Sequence, residues 1–387
     1  MNRREFTSLS ALALAASTLP ASGAKARQTG ANARQTGANA RQTGANAQSA
    51  RPEAAPVGFA AIGLGTISEI FMRACARSGK AKITALVTGH PETKGRKYAA
   101  TYGIPESSIY TYETFDRIRE NKAVDAVYVG LPNSMHREYT VRAAAAGKHV
   151  LCEKPMAISS SECEQMIAAC RRSGVKLMIA YRVHFDPTHN EARRMVQAGE
   201  LGSVQAFEGA FGFNGGAGQW RLMKKLGGGG SLMDVGIYPL NNIRWILGEE
   251  PAAYTGVVST RDRASGRFAE VEQSVSWTMK FPSGVIAALG STYGSDMPPF
   301  LRIHGERGTL EITNAYAYTG VRLRGIGGGQ RVDLSTPGDE TNHFLLEAEH
   351  FADCVRTGAT PKTPGEEGLA DLRAIEAVYR AAGTPIA

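Results

Sequence analysis

Three residues have types and spacing suited to moving a proton on and off a substrate oxygen: Lys154, Asp234 and Tyr238. A free tyrosine titrates at about pH 10 and is a poor base at neutral pH. A neighbouring ammonium group stabilises the phenolate, and Lys154 could supply that charge. Asp234 stands four residues before Tyr238, which places both on one helix face. We predict that Tyr238 is the acid/base, that Lys154 activates it, and that Asp234 orients the tyrosine or a substrate hydroxyl group.

Each of these residues also has a structural interpretation. Lys154 could merely anchor a phosphate or carboxyl group. Asp234 could be a helix cap or a hydrogen-bond partner, and Tyr238 could be a core aromatic residue whose hydroxyl group is satisfied. The sequence alone leaves these alternatives open.

A second cluster, His184, Asp186 and His189, invites a metal interpretation. Its spacing does not follow one helix face, and Pro187 interrupts it. Proline is favoured in the first turn of a helix, directly after the cap. We therefore predict that Asp186 caps the following helix and that the chain binds no metal.

The elements that must position these residues begin with alternating strands and helices. Apolar runs predict strands at residues 57–62, 82–87, 124–130, 149–152 and 176–180, and helical patterns separate them. This alternation is typical of a parallel sheet with helices on both faces. We predict an α/β fold in which a doubly wound Rossmann domain spans residues 57–180 and an α+β domain with an open antiparallel sheet spans residues 181–387.

The first predicted strand runs into a glycine-containing turn. Gly63 permits a tight turn, and Gly65 lets a pyrophosphate approach the N-terminus of the next helix. The third position of this dinucleotide-binding fingerprint is Ser68, so the motif is incomplete. We predict that Gly63, Gly65, Thr66 and Ile67 contact a dinucleotide cofactor.

The second strand ends without the carboxylate that binds the ribose diol in NAD enzymes. Thr88 and His90 stand there instead, followed by Lys94, Arg96 and Lys97. A hydroxyl group and cations suit a 2′-phosphate, so we predict NADP, bound by Thr88, His90 and Lys94. The alternative is that the three cations only form a solvated helix face.

Two further motifs follow the next two predicted strands. One contains Leu131, Asn133 and His136, and the other contains Glu153 and Lys154. Because open α/β sheets bind ligands beyond the carboxyl ends of their strands, we predict that all five residues contact the cofactor.

The motifs Glu153-Lys154-Pro155 and Asp234-x-x-x-Tyr238, in this order, resemble the glucose–fructose oxidoreductase/inositol dehydrogenase family from residue 57 to the C-terminus. The chain looks most like the exported, sugar-converting glucose–fructose oxidoreductase branch, because inositol-dehydrogenase-like members typically carry His where this chain has Tyr238. Further similarities are the segments 180–182, 220–221 and 229–234. The resemblance implies that Arg182, Trp220 and Arg221 line the cofactor or the sugar, with a surface or core role as the alternative.

The second domain shows β-patterned runs at 253–258, 271–281, 285–292, 300–303, 308–312 and 320–323. Short turns between consecutive strands predict an antiparallel sheet. In the family that the chain resembles, one face of this sheet covers the substrate and the other joins subunits, so we expect a homo-oligomer. The glycine-rich stretch 209–218 gives no clue to the sugar.

The N-terminus carries Arg3 and Arg4, an apolar run and then small residues, as twin-arginine export signals do. The unit ARQTGAN follows three times, at 26–32, 33–39 and 40–46, without an apolar seam. We predict a signal peptide (1–25), a flexible repeat-containing linker (26–56) and a periplasmic protein with no membrane contact after cleavage. The alternatives are a Sec signal and a partner-embracing arm, although the family's arm is not built of such repeats.

The charge distribution and the cysteine spacing argue against a nucleic-acid-binding protein, a disulfide-stabilised scaffold and a cysteine metal site. Residues 1–51 hold seven basic residues and one acid, which leaves only +2 of the net charge of +8 for the body and argues against nucleic-acid binding. The five cysteines show neither a disulfide framework nor metal-ligand spacing.

These features predict an exported sugar oxidoreductase that oxidises an aldose to its lactone and passes the hydride through tightly bound NADP to a second sugar, giving a polyol. One alternative is an NAD-dependent exported glycosidase of the same superfamily. Another is a conventional NADP-dependent sugar dehydrogenase with exchangeable cofactor, and a third is a non-catalytic sugar sensor.

Overall fold

A computed structural model describes residues 55–336 and 338–386. Residues 54–387 form one compact unit. The predicted signal peptide and repeat linker fall on residues 1–56, almost all of which lie outside the described ranges. Those predictions therefore stay predictions.

The first layer is a six-stranded parallel sheet with the strand order β3-β2-β1-β4-β5-β6. This order confirms the predicted doubly wound Rossmann sheet. The two-residue strand β3 was missed, because so short a segment leaves no periodic signal. The strands are β1 (Val57–Ile62), β2 (Ala81–Val87), β3 (Ile109–Tyr110), β4 (Ala126–Val129), β5 (His149–Glu153) and β6 (Leu177–Ala180).

Helices cover both faces of this sheet. Along β1, Phe59 and Ala61 pack on one apolar core while Ala60 and Ile62 pack on another. The first core is closed by α1, α2 and α8, and the second by α3, α4 and α9. The helices are α1 (Thr66–Cys75), α2 (Arg96–Tyr102), α3 (His136–Ala145), α4 (Ser160–Ser173), α5 (Pro187–Gln197), α6 (Lys224–Gly227), α7 (Ile237–Leu247), α8 (Asn342–Thr357) and α9 (Gly365–Ala381).

The second layer is an eight-stranded sheet with the order β14-β13-β12-β11-β7-β10-β9-β8. It is mixed, because β10 pairs with β7 in parallel while the other pairs are antiparallel. The chain makes a long crossover through α7 between these two strands, and such a connection permits parallel pairing. The strands are β7 (Val204–Gly212), β8 (Ala253–Ser259), β9 (Ser274–Lys280), β10 (Ile286–Thr292), β11 (Met297–Gly305), β12 (Thr309–Thr313), β13 (Arg322–Gly327) and β14 (Gln330–Ser335).

The prediction that Asp186 caps a helix is confirmed. Its carboxylate accepts hydrogen bonds from the backbone N–H groups of Thr188 and His189, and Pro187 occupies the first position of α5. A wide π-helical turn, Leu232–Gly236, leads into α7 and carries Asp234 to the region between the two sheets. All five cysteines are buried and free.

Candidate active site

A cleft of about 630 Å³ lies beyond the carboxyl ends of β1, β4 and β5 and is closed on the other side by residues of the second sheet. It brings together all three residues predicted to be catalytic. From the predicted cofactor contacts it adds eight more: Thr66, Ile67, Leu131, Asn133, Glu153, Arg182, Trp220 and Arg221.

The turn after β1 has the geometry that a pyrophosphate needs. Gly63 has a φ of +80°, and a Cβ there would lie 2.7 Å from the carbonyl oxygen of Gly130. Gly65 caps α1, whose N-terminus receives no side-chain hydrogen bond, and a Cβ on Gly65 would meet nothing within 4 Å. Open space and uncapped N–H groups together fit a bound phosphate. Ser68, at the third fingerprint position, is fully buried against Gly130.

The end of β2 supplies one cation to this turn. The Lys94 ammonium group lies 3.4 Å from the carbonyl oxygen of Leu64. Thr88 is buried, and its hydroxyl oxygen accepts a hydrogen bond from the N–H of His90, which is itself exposed. None of these three predicted residues lines the cleft, but Lys94 reaches back over the glycine turn.

The other two cations of this region face elsewhere. Arg96 forms ion pairs with Glu92 at 2.8 Å and with Glu106 at 3.2 Å. The Lys97 ammonium group lies 5.3 Å from the centre of the Tyr98 ring. Arg96 and Lys97 therefore fit the alternative of a solvated helix face, whereas Lys94, although exposed, contacts the glycine turn.

His136 departs from its predicted role. It is fully buried and does not line the cleft. Its Nδ1 lies 2.9 Å from the carbonyl oxygen of Pro155, and its Nε2 lies 2.9 Å from that of Leu131. The neutral ring can donate to only one of these carbonyl oxygens, but both lie against it, so His136 is enclosed between the two loops and is not exposed to the cleft.

Glu153 and Asn133 line the cleft and are themselves held in place. Glu153 accepts a hydrogen bond of 2.6 Å from the hydroxyl group of Tyr128. Burial raises the pKa of the Glu153 carboxyl, although Tyr128 and Lys154 oppose that rise. The amide of Asn133 donates to the carbonyl oxygen of Gly227 at 2.9 Å and so ties the Rossmann loop to the turn before Asp234.

Asp234 is the centre of a charged cluster. Its Oδ1 lies 3.2 Å from Nζ of Lys154, and its Oδ2 accepts from Nε of Arg221 at 2.9 Å and from the hydroxyl group of Tyr293 at 2.8 Å. Burial would raise the pKa of Asp234, but the charges of Lys154 and Arg221 outweigh it and lower the pKa to about 2. Asp234 is therefore an ionised positioning group and not a proton donor at neutral pH.

The Lys154 ammonium group also stays charged. It donates at 2.8 Å to the backbone carbonyl oxygen of Asp234. Burial acts to lower the pKa of Lys154, but the neighbouring Tyr238, Asp234 and Glu153 together hold it above its usual value. A fixed positive charge therefore stands in the cleft.

Tyr238 lies between two cations. Nζ of Lys154 is 4.5 Å from the centre of its ring, and the guanidinium carbon of Arg182 is 5.2 Å from the same point. The ring also stacks on Tyr316 at 5.4 Å. Two positive charges therefore lie beside the ring of the predicted acid/base.

The prediction that Asp234 orients Tyr238 or a substrate hydroxyl group stays a prediction. Asp234 lies in the π-helical turn and Tyr238 in the α-helix that follows. Among the described residues, the hydrogen bonds of the Asp234 side chain go to Lys154, Arg221 and Tyr293.

Tyr293 was missed by sequence reasoning. It directly follows β10, is almost fully buried and donates to Asp234 across a gap of 59 residues. The only signal in the sequence is its position just after a predicted strand, which is too general to single it out.

Comparisons with known proteins agree with this geometry. Residues 57–181 match a family described as "Oxidoreductase family, NAD-binding Rossmann fold", and residues 189–311 match the "GFO/IDH/MocA C-terminal domain". The chain is 32% identical to D-xylose 1-dehydrogenase [NADP(+)] of Haloarcula marismortui over 337 residues, which is 85% of this chain and 92% of the relative.

Two solved structures extend the comparison. Aldose–aldose oxidoreductase from Caulobacter crescentus, complexed with glycerol, is 45% identical, with a TM-score of 0.80 over 85% of this chain and 98% of that one. Levoglucosan dehydrogenase, in complex with NADH and levoglucosan, shares the fold at 20% identity, with a TM-score of 0.74 over 85% of this chain and 97% of that one. The resemblance drawn from the sequence motifs is confirmed: the chain belongs to the GFO/IDH/MocA family of oxidoreductases, with that family's NAD-binding Rossmann fold.

Proposed function

We propose that this protein is a sugar oxidoreductase that oxidises an aldose to its lactone and transfers the hydride, through tightly held NADP, to a second sugar. The observation that carries the proposal is the cleft that Tyr238, flanked by the cations Lys154 and Arg182, shares with Thr66 and Ile67 of the turn after β1. The aldose–aldose oxidoreductase relative, at 45% identity, supports the same reaction type.

The protein's own residues would carry the proton. Tyr238 takes the proton of the C1 hydroxyl group as the hydride leaves C1, with the Lys154 ammonium group beside its ring. The turn at Gly63–Ile67 and Lys94 would hold NADP, which would supply the acceptor and later the donor of the hydride. In the second half-reaction Tyr238 gives its proton to the carbonyl oxygen of the acceptor sugar, so the products are one lactone and one polyol.

The preference for NADP rests on the end of β2. Thr88 stands where an NAD enzyme has a carboxylate, and the Lys94 ammonium group lies over the turn. The NADP(+)-linked xylose dehydrogenase relative supports this preference. Retention during dialysis requires a dissociation constant near about 1 nM, or roughly −12 kcal/mol.

The test is to mix the purified, dialysed protein with two aldoses and no added cofactor. The proposal predicts aldonic acid or lactone plus polyol in equal amounts. Products that form only when NADP is added would make the protein a conventional dehydrogenase. Release of nitrophenol from nitrophenyl glycosides, without a net redox product, would make it a glycosidase. A cofactor-loaded protein that forms no product would be a sensor.

We also propose that the protein is exported to the periplasm by the twin-arginine route. The support is the pair Arg3-Arg4 before an apolar run. No helix in the described part of the chain is long and apolar enough to cross a membrane. Cell fractionation should find the protein in the periplasm and the Arg3→Lys/Arg4→Lys variant in the cytoplasm, and an unchanged distribution would reject this route.

We propose that the protein is a homo-oligomer whose subunits meet at the exposed face of the second sheet. That face carries small residues such as Ala288 and Ser276, with Val257 and Ile286 exposed beside them. A second copy of the chain is the occupant that the family resemblance implies. Light scattering should give a multiple of the 41.2 kDa chain mass, and Val257→Glu should lower it. A monomeric wild type would reject the interface.

A further inference from the structure

A buried cluster around Asp186 contacts Arg182, a residue that lines the cleft, through His343. The carboxylate is fully buried, and only Oδ1 is needed to cap α5. Its Oδ2 is turned away from the helix: it accepts a hydrogen bond of 2.6 Å from Thr336 and lies 2.7 Å from Nε2 of His343. The helix cap accounts for the contacts of Oδ1 but not for those of Oδ2.

The carboxylate determines which nitrogen of His343 carries the proton. Burial opposes ionisation of Asp186, but its hydrogen bonds with His189 and His343 hold its pKa well below the usual range. Because an ionised carboxylate only accepts hydrogen bonds, Nε2 of His343 must donate. Burial lowers the pKa of the His343 imidazole, so the ring is neutral and its Nδ1 is left as an acceptor.

That acceptor faces Arg182. The distance from Nδ1 of His343 to the nearest guanidinium nitrogen, Nη1, is 3.3 Å, and a guanidinium group can only donate. The same nitrogen donates to the carbonyl oxygen of Ala317 at 3.2 Å, and Nη2 donates to that of Tyr316. Within the described part of the chain, Arg182 forms no ion pair with a carboxylate. His343 is therefore the side-chain acceptor that lies behind Arg182, while Tyr238 lies on its cleft side.

Of Asp186, His343 and Arg182, only Arg182 lines the cleft. Its guanidinium carbon lies 5.2 Å from the centre of the Tyr238 ring and 4.4 Å from that of Tyr318. The line thus runs from the buried Asp186 through His343 to a cation placed between two phenol rings. A carboxylate behind an imidazole strengthens the acceptor on its far side and fixes the orientation of the ring.

We propose that Asp186 and His343 are positioning residues that hold the Arg182 guanidinium in one orientation beside Tyr238, and that they thereby speed the proton transfer of the proposed sugar oxidation. The kinetic part rests on the proposed function, and the structural part does not. Neither residue touches the cleft, so both act only through Arg182.

Two variants separate positioning from simple stability. His343→Leu removes the acceptor of Arg182. Thr336→Val removes a donor from the same oxygen of Asp186 but leaves the bond between His343 and Arg182 in place. Both should lower the melting temperature, whereas only His343→Leu should alter Arg182.

The structural readout is nitrogen-15 NMR of the holoprotein with labelled arginine and histidine. We expect separate guanidinium N–H signals for Arg182, reporting slow rotation, and a His343 ring protonated at Nε2. The arginine signals should shift and broaden in His343→Leu, which keeps only the bonds to the carbonyl oxygens of Ala317 and Tyr316, and should match the wild type in Thr336→Val. Merged signals in the wild type, or a ring protonated at Nδ1, would overturn the proposal whatever the enzyme's activity.

The kinetic readout is the rate at which an aldose reduces the bound cofactor. His343→Leu should slow this step by about 10-fold, the lower end for a supporting partner, with the KM for the sugar unchanged. In a Tyr238→Phe background the same substitution should add no further loss, because the group on which Arg182 acts is gone. Equal rates in His343→Leu and Thr336→Val, or fully additive losses, would overturn the positioning role. A wild type that reduces no cofactor would instead reject the proposed function.

Discussion

Two glycine-rich turns border the cleft, and their glycines serve opposite purposes. In the turn after β1, a Cβ on Gly65 would meet nothing within 4 Å. In the turn before Asp234, a Cβ on Gly230 would lie 2.2 Å from the carbonyl oxygen of Glu272 and 2.7 Å from its carboxylate. The first turn keeps space open for a ligand, whereas the second lets backbone pack against a buried acid. The same residue type thus marks a binding surface in one place and a structural joint in the other.

Hydrogen bonds to Glu272 hold the turn before Asp234 in place. Glu272 accepts hydrogen bonds from the N–H groups of Gly230 at 2.8 Å and Leu232 at 3.0 Å, and from the hydroxyl group of Tyr379 at 2.8 Å. These bonds fix the start of the π-helical turn that carries Asp234. The chemistry on this side of the cleft therefore depends on packing, while the cofactor side depends on exposed backbone.

The largest effect is expected from removing the proposed acid/base, Tyr238, in the helix that follows the packed turn. Tyr238→Phe should slow both half-reactions by about 100-fold or more, the usual scale for losing a general acid/base. The bound cofactor should remain, because the glycine turn after β1 is untouched. Single-turnover rates and the cofactor content of the denatured protein measure the two effects. Wild-type rates in this variant would remove Tyr238 from the mechanism.

The charged cluster on the packed side should be visible in the pH dependence of stability. With a folded pKa of about 2 and an unfolded value of about 3.9, Asp234 should contribute about 2 to 3 kcal/mol to the free energy of unfolding. Because the folded pKa is lowered, this contribution is present above about pH 4 and is lost as the pH falls towards about 2.

The measurement is urea unfolding of the wild type and of Asp234→Asn over this pH range. The difference in the free energy of unfolding between the two proteins should shrink as the pH falls. Tyr293→Phe, which removes one donor to Oδ2, should lower the free energy of unfolding by a smaller amount, with the same dependence on pH. A pH-independent difference would contradict the lowered pKa.

The two turns themselves can be compared by one matched pair of substitutions. Gly230→Ala should destabilise the protein by about 1 to 3 kcal/mol, because the added methyl group must displace Glu272. Gly65→Ala should leave the free energy of unfolding of the cofactor-free protein nearly unchanged, yet reduce the NADP retained after dialysis. Equal destabilisation by both variants would erase the distinction between an open and a packed turn.

The smallest effect is expected at the end of β2. Lys94→Met should weaken NADP retention by about 10-fold while leaving NAD retention nearly unchanged, because one charge-assisted contact to the 2′-phosphate is lost. Lys97→Met is the matched control, since Lys97 lies over Tyr98. The NADP and NAD released from each denatured variant give the ratio of the two retained cofactors. Equal losses of NADP in both variants would place the 2′-phosphate away from Lys94.

Sequence reasoning recovered what is encoded locally. The turn at Gly63 and Gly65, the residues at the carboxyl ends of β4 and β5, and the cap at Asp186 each depend on a few neighbouring residues. The strand–helix alternation likewise predicted the Rossmann sheet, because periodicity is a local property.

What the sequence could not predict depends on contacts between distant segments. Tyr293 and Glu272 act on the Asp234 turn from strands and loops some 40 to 59 residues away. His136 was predicted to touch the cofactor from its place in a motif, but its burial between two loops is a tertiary property. The parallel pairing of β7 with β10 depends on a crossover that strand patterns alone do not reveal.

The most direct test of the central claim is the near-ultraviolet absorbance of the purified, extensively dialysed protein, recorded before and after adding one aldose and then a second sugar. The account predicts that the band of the reduced nicotinamide appears with the first sugar and fades with the second, because one bound cofactor serves both half-reactions. Absence of the band, with no NADP in the denatured supernatant, would contradict a tightly held cofactor that cycles in place.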